Sequence, residues 1–118
     1  MSFDTFIAKV KSKQAISFDD TMTLINAHYQ YTPTTFTNGL GDKTVTNAAG
    51  SNEGSCKIFA FAQLNQLDQM QTLNLFGDFY HQDVLTDPNG SSHQNIRNFM
   101  QSGWAGIQFS KPNTLTLK

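Results

Sequence analysis

The sequence predicts an α+β fold with about five helices around a buried central helix and a small antiparallel strand element. Two observations predict this class. Apolar residues recur at helical spacing through most of the chain, and the final segment WAGIQFSKPNTLTLK changes to the alternating spacing of strands. A length of 118 residues suits one modest core, so residues 1–118 are predicted to form a single domain.

Two helices are predicted before residue 30. Phe3, Phe6 and Val10 lie at helical spacing, which predicts a short amphipathic helix. Ser17 precedes the next apolar stripe, and Asp20 follows it by three positions, a spacing similar to a capping box. The second helix is therefore predicted to begin just after Ser17.

The stretch YQYTPTTFTNGLGDKTVTNAAGS breaks the helical pattern with threonine, asparagine and glycine. Pro33 has no N–H to donate to a sheet ladder, and Asn38-Gly39 is typical of a tight turn. We predict one short edge strand at about 31–37, followed by a loop. Such an edge either accepts a strand from a partner or is protected from pairing by its proline.

The central helix is predicted at 58–67, where nearly every helix face is apolar. The next apolar stripe runs from Met70 to Tyr80 and predicts a further amphipathic helix. It leads into the sequence DPNG, whose residues favour a turn.

The last helix is predicted between Ser91, which has capping-box spacing to Gln94, and Gly103, which suits a C-terminal cap. Beyond it, apolar and polar residues alternate at 107–109 and again at 115–117. This alternation predicts two strands joined through Lys111-Pro112-Asn113.

Composition excludes several classes of function. Only 14% of residues are charged, against roughly 25% in typical globular domains. The net charge is −1 and Arg97 is the single arginine, so the basic surface that nucleic acids require is missing. No apolar run approaches the ~18 residues of a membrane span, and the N-terminus lacks a secretory signal pattern. One cysteine forms no internal disulfide, which favours a bacterial or cytosolic folding compartment, and we predict the bacterial cytoplasm.

Candidate catalytic residues lie at the start of the predicted central helix. Cys56 follows Glu53 by three positions there, and free N–H groups at a helix N-terminus lower the pKa of a thiol. His93 supplies a candidate base, so Cys56, Glu53 and His93 are the candidate catalytic set. The alternative is structural, with Cys56 buried and inert and Glu53 stabilising the first turn.

Candidate ligand-binding residues follow from the predicted last helix. Arg97 lies four residues after His93 on one face, with Trp104 just beyond, and a guanidinium binds carboxylates through two hydrogen bonds. Asn52, as a helix cap, and Asn95, as a group that orients His93, complete the set. The alternative is that Arg97 pairs with an acid inside the fold and that His93 caps or packs.

Motifs for metals and cofactors are incomplete. In GLGDKT, Asp42 separates Gly41 from Lys43, whereas a phosphate-binding loop needs glycine and lysine adjacent. A calcium loop starting at Asp87 would have Ser92 in place of the required glycine. We therefore predict no metal site and no cofactor.

Four segments resemble the HopJ type III effector family: YTPTTFTNGLG, NEGSCKIFAFAQLN, LFGDFYHQDVL and HQNIRNFMQSGWAGIQF. They cover most of the chain from Tyr31 to Phe109 in order. The resemblance implies a small bacterial protein from a family named for effectors that a type III apparatus delivers. It transfers no catalytic residue to this sequence.

Two functions are therefore predicted as alternatives. The first is a HopJ-like bacterial protein that binds a macromolecular partner, a protein rather than nucleic acid or membrane, and is secreted by a type III route if the effector label applies. The second is a small cytosolic enzyme or ligand-binding domain in which Cys56, Glu53, His93 and Arg97 line one pocket.

Overall fold

The helical part of the fold consists of five α-helices, one π-helical segment and two 3-10 turns (Gly41–Lys43 and Gly103–Gly106), as seen in a computed structural model that describes residues 2–118. The α-helices are α1 (Phe3–Lys11), α2 (Phe18–His28), α3 (Glu53–Leu64), α4 (Gln69–Asn74) and α5 (Gln94–Ser102), and the π-helical segment is Phe79–Val84.

Five short strands form two antiparallel sheets: β1 (Tyr29–Tyr31), β2 (Phe36–Asn38), β3 (Val45–Asn47), β4 (Gln108–Phe109) and β5 (Leu115–Leu117). One sheet has the order β3-β2-β4, and the other pairs β1 with β5. The predicted α+β class is confirmed.

The two sheets follow each other along one pair of antiparallel segments. The Ser110 N–H donates to the Thr35 carbonyl at 2.9 Å, and the Thr32 N–H donates to the Thr114 carbonyl at 2.8 Å. Between these two bonds, two residues on one segment face three on the other, which is the arrangement of a β-bulge. β4 and β5 therefore lie end to end on the same side of the β1–β2 segment.

This geometry corrects one prediction about strands and confirms another. β2 is the middle strand of its sheet, so the predicted edge strand at 31–37 is wrong. β4 and β5 are joined through residues 110–114, which include the predicted connection Lys111-Pro112-Asn113, and each of the two pairs with a different strand. Pro33 and Pro112 both lie at the bulge, where neither has to donate to the ladder, and this is how prolines fit beside a central strand.

The core is centred on α3. Phe59 contacts aromatic rings from β2, from the turn after α4 and from α5, with centroid distances of 5.8 Å to Phe36, 5.6 Å to Phe76 and 4.9 Å to Phe99. Leu64, at the end of α3, is an exception to the predicted burial on all sides because it is 57% exposed. Six residues of α3 are buried: Cys56, Ile58, Phe59, Ala60, Phe61 and Ala62.

The helix predicted from Met70 to Tyr80 is interrupted, because α4 ends at Asn74 and a π-helical segment follows. The interruption lies at Gly77, whose φ of +59° is unfavourable for other residues. A Cβ at Gly77 would lie 2.7 Å from the backbone nitrogen of Phe18. Glycine thus lets this turn approach the start of α2, a contact that sequence periodicity does not register.

Helix ends were predicted with mixed success. The Ser17 side chain accepts a hydrogen bond from the Asp20 N–H at 3.0 Å, so the predicted start of α2 is confirmed. Gly103 caps α5 as predicted. The predicted start at Ser91 is wrong, because His93 precedes the helix in the left-handed conformation, with φ of +53°.

Candidate functional site

Cys56 lies inside the core rather than at an open helix mouth. It is 1% exposed, and its Sγ atom donates to the carbonyl of Thr34 at 3.5 Å. Burial raises the pKa of the Cys56 thiol, because the thiolate would lose its hydration. The neutral thiol is therefore the favoured form, whereas a nucleophilic cysteine needs the thiolate.

Tyr31 is a neighbour of Cys56 that the sequence did not single out. Its hydroxyl oxygen is buried and has no hydrogen-bond partner among residues 2–118, and the Lys57 ammonium lies 4.9 Å from its ring centroid. Burial, together with the nearby Cys56 and Glu53, raises the pKa of Tyr31. Glu53 itself is exposed. No signal in the sequence relates Tyr31 to Cys56, since the two are 25 positions apart.

His93 and Arg97 have partners away from Cys56. The His93 Nε2 atom lies 3.1 Å from the Asp83 carboxylate, and its ring packs on Phe79 at 5.2 Å between centroids. Arg97 is buried and donates to the backbone carbonyls of Ser92 at 2.5 Å and Asp87 at 2.7 Å. The guanidinium thus holds the loop at 87–92, which explains why α5 begins only after Ser92.

Four buried asparagines, the amide cluster, connect the β2–β3 hairpin to α5: Asn38, Asn47, Asn95 and Asn98. The Asn95 amide donates to the Asn47 side-chain oxygen at 2.8 Å, and the Asn38 amide donates to the Asn95 side-chain oxygen at 3.0 Å. The Asn98 amide donates to the carbonyls of Asn38 and Lys43 at 3.0 and 2.9 Å. Among residues 2–118, the Asn38 side-chain oxygen is the one amide atom of this cluster without a partner.

Asn52 and Asn95 are brought together by the amide cluster. The Asn52 side chain donates to the Asn47 oxygen at 2.8 Å, the same oxygen that accepts from Asn95. The starts of α3 and α5 therefore meet, but through neutral amides bonded to one another. Trp104, the remaining candidate, donates to the Leu67 carbonyl at 3.0 Å and packs against Phe99.

The seven candidate side chains do not form one site. Cys56 and Glu53 both lie near Tyr31, and Asn52 and Asn95 share the Asn47 oxygen, whereas His93, Arg97 and Trp104 have other partners within residues 2–118. The catalytic and ligand-binding roles assigned to them stay predictions. Residues 2–118 also contain no group of three or more His, Cys, Asp or Glu side chains placed to hold a metal ion.

A groove of about 440 Å³, the C-terminal groove, runs between α3 and the chain from β4 to β5. Its helix side is formed by Ala60, Gln63 and Leu64, and its strand side by residues 107–115. A neighbouring depression shares Leu64 and extends the apolar surface to Leu117, which is 73% exposed. Sequence reasoning treated Leu64 as core and residues 111–113 as a turn, so it missed this site.

The C-terminal groove contains one polar group that the fold leaves unpaired. Thr114 is 4% exposed and lines the groove, yet its hydroxyl has no hydrogen-bond partner among the described residues. Buried polar groups are nearly always bonded, so an exception in the wall of a groove is a candidate contact for a ligand. Apolar surface, an unpaired hydroxyl and open volume together fit binding better than catalysis.

None of the helices in residues 2–118 combines the length and apolar character needed to cross a membrane.

Comparisons with known proteins give a family and a structural relative. A family model described as "HopJ type III effector protein" matches residues 3–114. A solved structure described as "Crystal structure of unknown function protein VPA0580" is 48% identical, with a TM-score of 0.93 over 100% of this chain and 95% of the other. No curated protein matches the chain. The relative therefore supports the fold, and its description names no activity.

Proposed function

The chain belongs to the HopJ type III effector protein family, and on that premise we propose that it is a secreted effector that acts by binding a protein partner. It is made in the bacterial cytoplasm and leaves through a type III apparatus. Action by association is supported by the separate partners that Cys56, His93 and Arg97 have within residues 2–118.

The observation that carries this proposal is the apolar surface along the C-terminal groove. Leu64 and Leu117 are 57% and 73% exposed and line connected depressions. Exposed apolar side chains that are contiguous, rather than scattered, are typical of protein–protein interaction sites. Because charged residues line little of this surface, burial against a partner would carry a small desolvation cost.

Secretion is tested in the source bacterium under conditions that induce the type III apparatus. The tagged protein is expected in the culture medium of the intact strain and absent from that of a strain lacking the secretion ATPase. Retention in the cells of both strains would contradict the effector part of the proposal, and a cytoplasmic marker protein controls for lysis.

Partner binding is tested by placing a photo-crosslinking amino acid at Leu64 or Leu117 in living cells. Leu40 is the matched control, because it is a 53% exposed leucine that does not line the groove. We expect a discrete crosslinked protein from Leu64 and Leu117 but not from Leu40. Equal products from all three positions, or none from any, would contradict binding through the groove.

A further inference from the structure

The strand side of the C-terminal groove is a free sheet edge. The bonds Thr32–Thr114 and His28–Lys118 identify the hydrogen-bonded pairs of the β1–β5 ladder. The two kinds of pair alternate along an antiparallel ladder, so Gln30–Thr116 is hydrogen-bonded as well, whereas Tyr29–Leu117 and Tyr31–Leu115 are not. The N–H and C=O groups of Leu117 therefore point away from β1.

The same rule applies to β4. Ser110 bonds to Thr35 across the ladder, so the adjacent Phe109 belongs to a non-hydrogen-bonded pair and its backbone groups point away from β2. Leu115, between Phe109 and Leu117, has the same orientation relative to β1. Outward-facing backbone groups thus recur along one side of the chain, which is the template that an added strand uses.

The opposite side of the groove is suited to alternating side chains. An extended peptide directs every second side chain to the same face of its strand. In the groove, those side chains would contact apolar residues from α3 (Ala60 and Leu64) and from the strand side (Ile107 and Leu115). The polar members Gln63 and Asn113 lie among them. The groove therefore combines backbone pairing with apolar contacts, the two components of strand addition.

Charge distinguishes among peptides. Among residues 2–118, Lys111 is exposed and is the single charged residue lining the groove, although the whole chain has net charge −1. Within the same described residues, the neighbouring depression adds His28, and neither surface is lined by Asp or Glu. The buried Thr114 hydroxyl, which lacks a partner in this part of the chain, provides a nearby donor. This combination is complementary to a carboxylate on the incoming segment.

We propose that the C-terminal groove binds an extended segment of the partner protein that adds as a strand beside β4 and β5 and places a carboxylate near Lys111 and Thr114. This inference rests on the proposed function and names the chemistry of the partner. It also assigns strand addition to the C-terminal strands, whereas the sequence offered an edge at 31–37 that either accepts a strand or is protected by its proline.

The test begins with a phage-displayed library of random eight-residue peptides selected against the full chain. Enriched peptides are expected to alternate apolar and polar residues and to contain Asp or Glu. In a synthetic copy of one enriched peptide, replacing the carboxylate by its amide should weaken binding about fivefold to tenfold, as expected for loss of a charged hydrogen bond. N-methylation at alternate backbone positions should abolish binding, and at the intervening positions it should not.

Variants assign the contacts. K111E should lower the affinity for the acidic peptide by at least about tenfold, and T114V should lower it by about threefold to fivefold. K43E is the matched control, because Lys43 is an exposed lysine that does not line the groove, and it should bind as the native chain does. Peptides that lack a carboxylate, or that bind K111E and K43E equally, would overturn the proposal.

The outcomes separate this inference from the function on which it rests. If cellular crosslinking from Leu64 succeeds but no peptide is enriched, a partner binds and the extended-segment proposal is wrong. If acidic peptides bind but no cellular crosslink forms, the proposed function is wrong. A dimer in solution that L117D converts to a monomer would assign the edge to a second copy of this chain and would also overturn the proposal.

Discussion

The amide cluster and the C-terminal groove differ in how the fold treats their polar groups. In the amide cluster, buried Asn47 and Asn95 bond to each other and to neighbouring elements, and these bonds connect α5 to the β2–β3 hairpin. In the groove, the equally buried Thr114 hydroxyl has no partner among residues 2–118, and leucines beside it are exposed. The amide cluster leaves one side-chain oxygen, that of Asn38, without a partner, but its other amide groups bond one element to another, whereas the Thr114 hydroxyl connects nothing and lies beside open volume.

The same difference separates the residues with reactive side chains, which are bonded within the fold, from the residues that border open surface. Cys56, His93 and Arg97 are the residues whose chemistry attracts attention in the sequence, yet each has a partner within the fold. Leu64 and Lys111 are chemically ordinary, and they border open volume. Mutations in the closed regions should therefore change stability, and mutations in the groove should change binding.

The largest effect is expected from N95A, which removes three side-chain hydrogen bonds: the two that the Asn95 oxygen accepts from Asn38 and Asn47, and the one that the Asn95 amide donates to the Asn47 oxygen. The Asn38 and Asn47 amides keep their bonds to the backbone carbonyls of Asn95 and Phe36. Each lost hydrogen bond costs about 1 kcal/mol, so unfolding in urea should show a loss of about 3 kcal/mol. Q82A, at an exposed side chain, is the control and should change stability by less than about 0.5 kcal/mol. A similarly small loss for N95A would mean that the amide cluster does not hold these elements together.

R97M should have the next largest effect, about 2 kcal/mol, because it removes the donors to the carbonyls of Ser92 and Asp87. Hydrogen exchange should increase most in the loop at 87–92. Unchanged exchange there, with stability equal to that of the native chain, would contradict the structural role of Arg97.

The pH dependence of stability tests whether Cys56 belongs to the closed part of the fold. The pKa of the Cys56 thiol is raised in the fold, so the thiol of the unfolded chain ionises at lower pH than that of the folded chain. The contribution of the buried thiol to the free energy of unfolding is therefore complete below the ordinary thiol pKa of about 8.5 and is lost as pH rises beyond it. Between pH 8.5 and 9.5 the free energy of unfolding should fall by no more than about 1.4 kcal/mol per pH unit, the limit for one ionising group. The C56A variant should lack this slope.

The rate at which a small alkylating reagent modifies Cys56 measures the accessibility of the thiol independently. Modification of Cys56 should be slow in the native protein and rapid in urea, because the thiol is 1% exposed. Rapid modification of the native protein, with an apparent pKa below 8.5, would instead support the enzyme hypothesis.

The smallest effect on stability is expected from T114V, since valine has the shape of threonine without the unpaired hydroxyl. Stability should be unchanged or increased by up to about 1 kcal/mol, in contrast to the loss expected for N95A. A loss of more than about 1 kcal/mol would mean that the Thr114 hydroxyl contributes a bond to the fold and that the two regions do not differ as described.

Local signals in the sequence predicted much of the secondary structure. The stripe behind Ser17 predicted α2 and its first residue, and Gly103 predicted the end of α5. The start of α5 was not predictable in this way, because it depends on Arg97 binding a loop that lies five to ten residues earlier. The interruption at Gly77 depends on the approach of Phe18, which is distant in sequence.

The sequence by itself determined the α+β class, the family resemblance, the start of α2 and the end of α5. These features are local, because caps and apolar spacing act within a few residues. Only the tertiary structure decided which strand became an edge, which buried polar groups found partners and where open surface remained. Those outcomes depend on contacts between residues tens of positions apart, such as Asn38 with Asn95 and Thr32 with Thr114, and periodicity contains no record of such contacts.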